Sequence, residues 1–223
     1  MKRYIYRYMW FTIGVMINSF GIALITKATL GTSPISSLPY VLSFRFPFTL
    51  GQLSFVMNML FIIAQALLLR KDFERIQFLQ IVVNVVFSAV IDVSMSLLSW
   101  LEPSNILTQL ITLVLGCAVL GVGISIEVAP GVVMVPGEGL VKAISTVFNK
   151  RFGTTKIMFD VTLVAIALVL SLIFFHHLQG LGAGTIISAL IVGRFVNLYN
   201  KKLPLVSYIA GLKRGGLEAG GAC

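Results

Sequence analysis

Five ionisable side chains stand inside apolar stretches of this sequence of 223 residues, where a charge is costly unless it has a partner or a role. They are Lys27, Asp92, Glu127, Asp160 and Arg194. When the sequence is slid on itself by about 100 residues, Lys27 falls on Glu127 and Asp92 falls on Arg194. This spacing predicts two charge pairs, Lys27 with Glu127 and Asp92 with Arg194. Their role could be to lock helices together, and Lys27 could instead only extend its ammonium group to the membrane interface.

Two carboxylates could instead act on a ligand. Glu138 follows a Pro-Gly step, and an acidic residue in the first turn of a helix is favourable but repels anions. A zwitterion, a cation or a proton would therefore suit Glu138, and Glu127 and Glu138 are the candidates for proton or ion coupling. Asp160 lies one helical turn after Lys156, so an ordinary ion pair explains it as well as a substrate role does.

Two short segments interrupted by proline and glycine could hold the site: LGTSPISSLPY (30–40) and PGVVMVPGEGLVK (130–142). Backbone that is not helical at membrane depth is tolerated only when it is buried in protein or lines a wet cavity. Proline in a first helical turn is also ordinary, so packing without a ligand is the alternative. Asn18 and Asn84 are interpreted as polar contacts between helices. The candidate substrate-binding residues are Ser33, Pro34, Ser36, Asn58, Pro136, Gly137, Glu138 and Asp160.

The composition indicates that lipid is the solvent for the elements that position these residues. Apolar residues make up 57% of the chain and charged residues 11%, and the mean hydropathy is +0.97. The net charge of +9 comes from Lys and Arg clusters at the edges of apolar runs, which is typical of topology signals rather than of a nucleic-acid surface. The two cysteines are far apart in unlike contexts, so neither a disulfide nor a metal site is expected.

Six apolar segments are long enough to cross a hydrocarbon core of roughly 30 Å. Two others, 31–44 and 131–148, are short or broken and are predicted to be broken or re-entrant helices. With six crossings, most Lys and Arg fall on the side of both termini, which predicts that both termini are cytoplasmic. The six crossing segments are 8–26, 50–69, 76–101, 106–126, 157–175 and 178–196.

A sparse internal repeat relates the two halves of the chain. Gly21 matches Gly121, Gly31 matches Gly131, and the prolines of the two broken segments match as well. The predicted fold is an all-α polytopic membrane protein of two inverted structural repeats, each with three transmembrane helices and one short broken or re-entrant helix. One transmembrane domain, 1–214, contains repeat one (about 8–101) and repeat two (about 106–200), and 215–223 is predicted to be a disordered tail or a vector-derived scar.

Three stretches carry a resemblance to a known family: LGTSPISSLPYVLS (30–43), GISIEVAPGVVMVPGEGLVKAIS (123–145) and GLGAGTIISALIVGRFV (180–196). They are similar to the YczE/YitT-like family of bacterial membrane proteins, over roughly residues 8–200. The family's glycine-proline elements and its GxGT start to the last span are present, and Glu138 stands at the place of its usual acidic residue. The resemblance implies a multi-pass protein of the bacterial inner (cytoplasmic) membrane that acts as a transporter.

The expected function is secondary transport of a small polar or charged organic solute by alternating access, bound between the two broken helices. An ion or small-solute channel and a non-transporting membrane scaffold are the alternatives. The sequence has no nucleotide-binding loop, no HExxH and no nucleophile elbow, so no enzyme activity and no cofactor are expected. The expected partners are the lipid bilayer, the solute and H⁺ or Na⁺, without nucleic acid, and a homodimer is left open.

Overall fold

A computed structural model describes residues 2–214, and every regular element in that range is helical. The predicted tail, 215–223, lies outside the described residues. Three short 3₁₀ turns, Pro34–Ser36, Arg70–Asp72 and Arg75–Phe78, connect the longer helices. The α-helices are α1 Lys2–Lys27, α2 Ser37–Ser43, α3 Leu50–Leu69, α4 Leu79–Leu97, α5 Ile106–Val128, α6 Pro136–Val147, α7 Phe152–Phe175, α8 Ala183–Lys202 and α9 Pro204–Arg214.

Among the described residues, five helical segments are long and apolar enough to cross a membrane, which fits a multi-pass membrane protein. The predicted sixth segment, 178–196, becomes helical only at Ala183, and the resulting helix of 20 residues is less apolar than those five. Arg194 and the lysine pair at the end of α8 lower its hydropathy. The five segments are Ile5–Lys27, Leu50–Asp72, Ile76–Leu97, Ile106–Val128 and Phe152–Phe175.

Local chemistry explains where the helices begin and end. Thr49 and Gln52 form a reciprocal capping box at the start of α3, so this helix has the predicted bounds. Asp92 of α4 accepts hydrogen bonds from Thr49 Oγ1 (2.6 Å) and from the backbone N–H of Gly51 (2.8 Å), which fastens that helix start to α4. Gly31, at φ 124°, lies just beyond the end of α1 in a conformation that favours glycine.

Both interrupted segments form short helices, as predicted. The first contains a 3₁₀ turn followed by α2, which has 7 residues, and the second forms α6, which has 12. At 1.5 Å per residue, α6 is about 18 Å long, so neither helix alone can cross a hydrocarbon core of about 30 Å. The last helix, α9, was not predicted, and it packs through Val206 and Ile209 near α1, α5 and α8.

The closest helix pair in the described structure is α1 with α5, and the two run antiparallel. Gly21 lies so near Leu120 that a Cβ there would be 2.6 Å from the Leu120 Cα and backbone N. Gly14 approaches the backbone of Glu127 in the same way. Glycines thus let the two backbones touch, as small residues do at close contacts in membranes. On α5, Gly116 and Gly123 approach the backbone of Ile25 and Asn18 of α1 in the same way.

The remaining helices surround this central pair. α4 packs on α1 and α8 packs on α5. Each short helix packs against a long helix from the other half of the sequence, α6 against α3 and α2 against α7. One apolar core lies along α1 and α5 and includes Phe11, Ile22 and Leu113, and a second lies among α2, α3, α6 and α7. The two interrupted segments are therefore held by opposite halves of the chain.

Candidate functional site

The two interrupted segments touch where their helices begin. The 3₁₀ turn Pro34–Ser36 places Ile35 against Gly137 in the first turn of α6. The approach is so close that a Cβ added at Gly137 would overlap Ile35 Cδ1. The 3₁₀ turn and α6 each begin with a proline, which has no N–H to leave unpaired in a first turn. Two helix starts thus converge at one point inside the protein.

Glu127 is an enclosed carboxylate near the end of α5, with 2% of its surface exposed. Asn18 Nδ2 of α1 donates a hydrogen bond of 2.7 Å to Glu127 Oε2. The backbone N–H of Val135, just before α6, donates to the same carboxylate. Glu138 lies near enough for the charges of the two acids to repel each other. The interpretation of Asn18 as a polar contact between helices is confirmed.

Glu138, in the first turn of α6, also faces charges on α7: Lys156 attracts it and Asp160 repels it. Lys156 and Asp160 are one helical turn apart on α7 and form an ion pair, with 2.9 Å between Lys156 Nζ and Asp160 Oδ1. We call Glu127, Glu138 and Asp160 the acidic cluster. The structure brings together three of the predicted site residues, from three different helices, with a single lysine between two of them.

The serines of the first segment lie elsewhere. Ser33 Oγ donates to Ser36 Oγ at 3.0 Å, and both residues are buried. The loop before them is attached to α8, because the N–H of Gly184 donates to the Leu30 carbonyl at 2.8 Å and Thr185 Oγ1 accepts from the N–H of Thr32. The serines therefore lie next to α8, whereas Ile35 contacts α6 directly.

Asn58, the other predicted substrate residue, faces α4. Its Nδ2 donates to Asn84 Oδ1 at 2.8 Å, and Asn84 Nδ2 donates to the Phe55 carbonyl at 3.0 Å. Both asparagines are buried. Within residues 2–214, Asn58 is hydrogen-bonded to Asn84 of α4 and not to the acidic cluster.

The two predicted charge pairs are wrong for the described residues, where Lys156 with Asp160 is the ion pair within 4 Å. Because α1 and α5 are antiparallel, Lys27 and Glu127, each at the C-terminal end of its helix, lie at opposite ends of the helix pair. Asp92 caps α3 instead of meeting Arg194. In two antiparallel helices, residues at the same distance from each N-terminus come together only near the middle of the contact.

An open cleft of about 440 Å³ runs beside α6. Its size is within the range that small-molecule sites occupy, 300–1,000 Å³ by order of magnitude. Two lysines and two hydroxyls supply its polar lining, and a methionine and a phenylalanine supply its apolar lining. These residues are Met134, Lys142, Ser145, Thr146, Lys150 and Phe152.

The sequence was also compared with known proteins. A family model described as a family of unknown function, DUF6198, matches residues 5–201, which is most of the chain. The chain belongs to the DUF6198 family. A similar curated protein is the uncharacterized protein YyaS of Bacillus subtilis (strain 168), 27% identical over 207 residues that cover 90% of this chain and 94% of YyaS. No solved structure matches, and the resemblance to the YczE/YitT-like family stays a prediction.

Two buried residues of this DUF6198 chain, Gln65 and Gln80, were not predicted as part of the site. Gln65 Nε2 donates to Gln80 Oε1 at 3.1 Å and to the carbonyl of Pro136 at 2.9 Å. The signal was present, since an amide in an apolar run needs a buried partner. Its partner could not be identified, because the sequence does not say which helices face each other.

In this DUF6198 chain, Gly137→Ala is expected to lower the free energy of unfolding by about 1–2 kcal/mol, because the added Cβ displaces Ile35. Ile35→Ala in the same chain should remove part of that loss by making room. Reversible unfolding in mixed detergent–SDS micelles measures both. Gly153→Ala, with nothing within 4 Å of its Cβ, is the control. Strictly additive effects of the two changes would contradict the contact.

Proposed function

We propose that this chain is a secondary transporter that moves a small polar or charged organic solute across the bacterial inner (cytoplasmic) membrane by alternating access. The observation that carries the proposal is the contact of two interrupted helix starts, at Ile35 and Gly137, beside the buried carboxylate of Glu127 and the half-buried carboxylate of Glu138. Interrupted helices in the interior of a membrane protein are where transporters bind substrates and coupling ions. The YczE/YitT-like placement belongs to the same proposal.

The proposal includes two inverted repeats, 8–101 and 106–200. The order of long, short, long and long helices occurs twice, as α1–α4 and as α5–α8. The first helices of the two halves run antiparallel, and each short helix packs on the second long helix of the other half. These are the contacts expected of an inverted pair. In this arrangement α8 is the sixth crossing, and the positive-inside rule favours both termini in the cytoplasm.

Within this arrangement Glu138 binds the cationic end of the solute or a proton. It lies in the first turn of α6, where the two helix starts meet, and Lys156 is the cation closest to it in charge interaction. Glu127 is the coupling residue for H⁺ or Na⁺, because it is enclosed and lies near enough to feel the charge of Glu138. Ser33 and Ser36 are the candidate polar groups of the first interrupted segment, and the cleft beside Lys142 is the proposed cytoplasmic access to α6.

A thermal-shift screen of the detergent-purified protein against metabolites and ions at two pH values tests the proposal. A ligand that binds only the folded state raises the apparent stability, by about 2.7 kcal/mol at a concentration of 100 times Kd. The expected result is a solute whose shift is lost in Glu138→Gln and kept in Glu102→Gln. Glu102 is an exposed acid on the loop after α4, so it controls for the loss of one negative charge.

The solute found in the screen is then loaded into proteoliposomes to measure counterflow. Saturable exchange that disappears in Glu138→Gln supports transport through this site. Binding without any flux would overturn the proposal, and so would flux at rates far above those of a cycling protein, which indicate a channel.

A further inference from the structure

Two buried amide side chains form a pair between α3 and α4. Gln65 is 0% exposed and Gln80 is 2% exposed. Gln65 Nε2 donates to Gln80 Oε1 at 3.1 Å, and Gln80 Nε2 donates back to Gln65 Oε1 at 3.2 Å. Burial of an amide is costly unless its hydrogen bonds are made, so a pair of this kind is stable only in this mutual geometry.

One hydrogen of this pair points to a third helix. The second N–H of Gln65 Nε2 donates to the carbonyl of Pro136 at 2.9 Å, and Pro136 is the first residue of α6. Both donors of the Gln65 amide are thereby used, one on α4 and one on α6. The start of the second interrupted helix is thus hydrogen-bonded to a side chain of α3 rather than to another part of its own loop.

A second, independent observation places α6 against the pair. A Cβ added at Gly139 would lie 2.6 Å from Gln65 Oε1 and 3.0 Å from Gln80 Nε2. The backbone of α6 therefore rests directly on the two amides, and glycine is the residue that permits it. The hydrogen bond at Pro136 and the close approach at Gly139 both lie in the first turn of α6, which also carries Glu138.

We propose that the Gln65–Gln80 pair is a positioning device that holds the first turn of α6 on α3 and α4 and thereby fixes the Glu138 carboxylate beside Glu127 and Lys156. The pair touches neither carboxylate, so it acts through the backbone of α6. For its effect on transport the inference rests on the proposed function. As a statement about α6 it is independent, because the order of a helix can be measured without any solute.

Hydrogen–deuterium exchange of the solute-free, full-length protein tests the inference. Gln65→Leu removes the bond to Pro136, and exchange of the α6 amides is expected to rise about tenfold, while exchange in α7 stays unchanged. Gly139→Ala pushes the amides aside and should produce the same local rise. Because both variants break one device, the double variant should exchange no faster than the faster single variant. Gln109→Leu, which loses one hydrogen bond of 3.4 Å to Pro103 near the start of α5, is the control.

Unchanged exchange in α6 of a folded Gln65→Leu protein would overturn the inference, and additive effects in the double variant would do the same. If Gln65→Leu does not fold, Gly139→Ala carries the test alone: faster exchange in α6 is expected, and unchanged exchange would overturn the inference. If amide exchange in α6 is faster in the variants but the wild-type protein transports nothing, the positioning of α6 is supported and the proposed function is rejected. If amide exchange in α6 is faster but the variants transport at the wild-type rate, the positioning of Glu138 by the pair is rejected.

Discussion

Gly21→Ala is expected to lower the free energy of unfolding by about 2–3 kcal/mol, which is the upper part of the range for an overpacked interior. The added Cβ would lie 2.6 Å from both the Cα and the backbone N of Leu120. A flexible side chain could turn away, but a helix backbone cannot, so α1 and α5 must separate along their whole contact. In lipid this contact depends on close packing rather than on exclusion of water, which makes the separation costly.

Reversible unfolding in mixed detergent–SDS micelles measures this loss. The matched control is Gly193→Ala in α8, where nothing lies within 4 Å of the Cβ position. There the substitution should be neutral or should stabilise by up to about 1 kcal/mol, since alanine is the better helix former. Equal effects of the two substitutions would show that the α1–α5 contact is not as close as described.

Glu127→Gln is expected to abolish accumulation of the solute while leaving its exchange intact. With one proton moved per solute, a gradient of one pH unit supports about tenfold accumulation, because one unit corresponds to 1.36 kcal/mol. Glutamine keeps the oxygen that accepts from Asn18 but has no group that binds and releases a proton or holds a cation. The accumulation ratio should therefore fall to about one, the value for uncoupled equilibration.

Proteoliposomes with an imposed proton gradient, and separately with an imposed sodium gradient, measure the accumulation and identify the coupling ion. Counterflow in the same vesicles measures exchange. Glu74→Gln, an exposed acid outside the helices, is the control for charge and should accumulate as the wild type does. Accumulation by Glu127→Gln at the wild-type ratio would remove Glu127 from the coupling step and leave Glu138 as the candidate.

Much of the secondary structure could be predicted because its signals are local. The bounds of α3 follow from a capping threonine, a glutamine three residues later and a continuous apolar run. The proline and glycine residues of 30–40 and 130–142 likewise predict the two short helices. The α1 helix begins at Lys2, earlier than predicted, because its first turns are polar and basic and so resemble a flank rather than a span. The α9 helix was missed because its 11 residues are too few to span a membrane.

The site was less predictable because its geometry depends on which helices face each other. Glu127, Glu138 and Asp160 were recognised as unusual from their apolar surroundings, and three helices bring them together. The pairing of Lys27 with Glu127 was wrong because it assumed that matched positions meet, whereas the antiparallel order of α1 and α5 separates them. The Gln65–Gln80 pair depends on the packing of α3 on α4, which no residue of either helix specifies alone.

The contact of α1 with α5 also has a consequence for how the protein is made. The two helices are separated by about 80 residues of chain, which a ribosome synthesises in about 4–16 s at 5–20 residues per second. During that interval α1 is already in the bilayer, and the glycine-lined face that α5 will cover is open to lipid or to the insertion machinery. A chain that ends after α4 never acquires that partner, so we expect assembly to be completed only when the second half has been inserted.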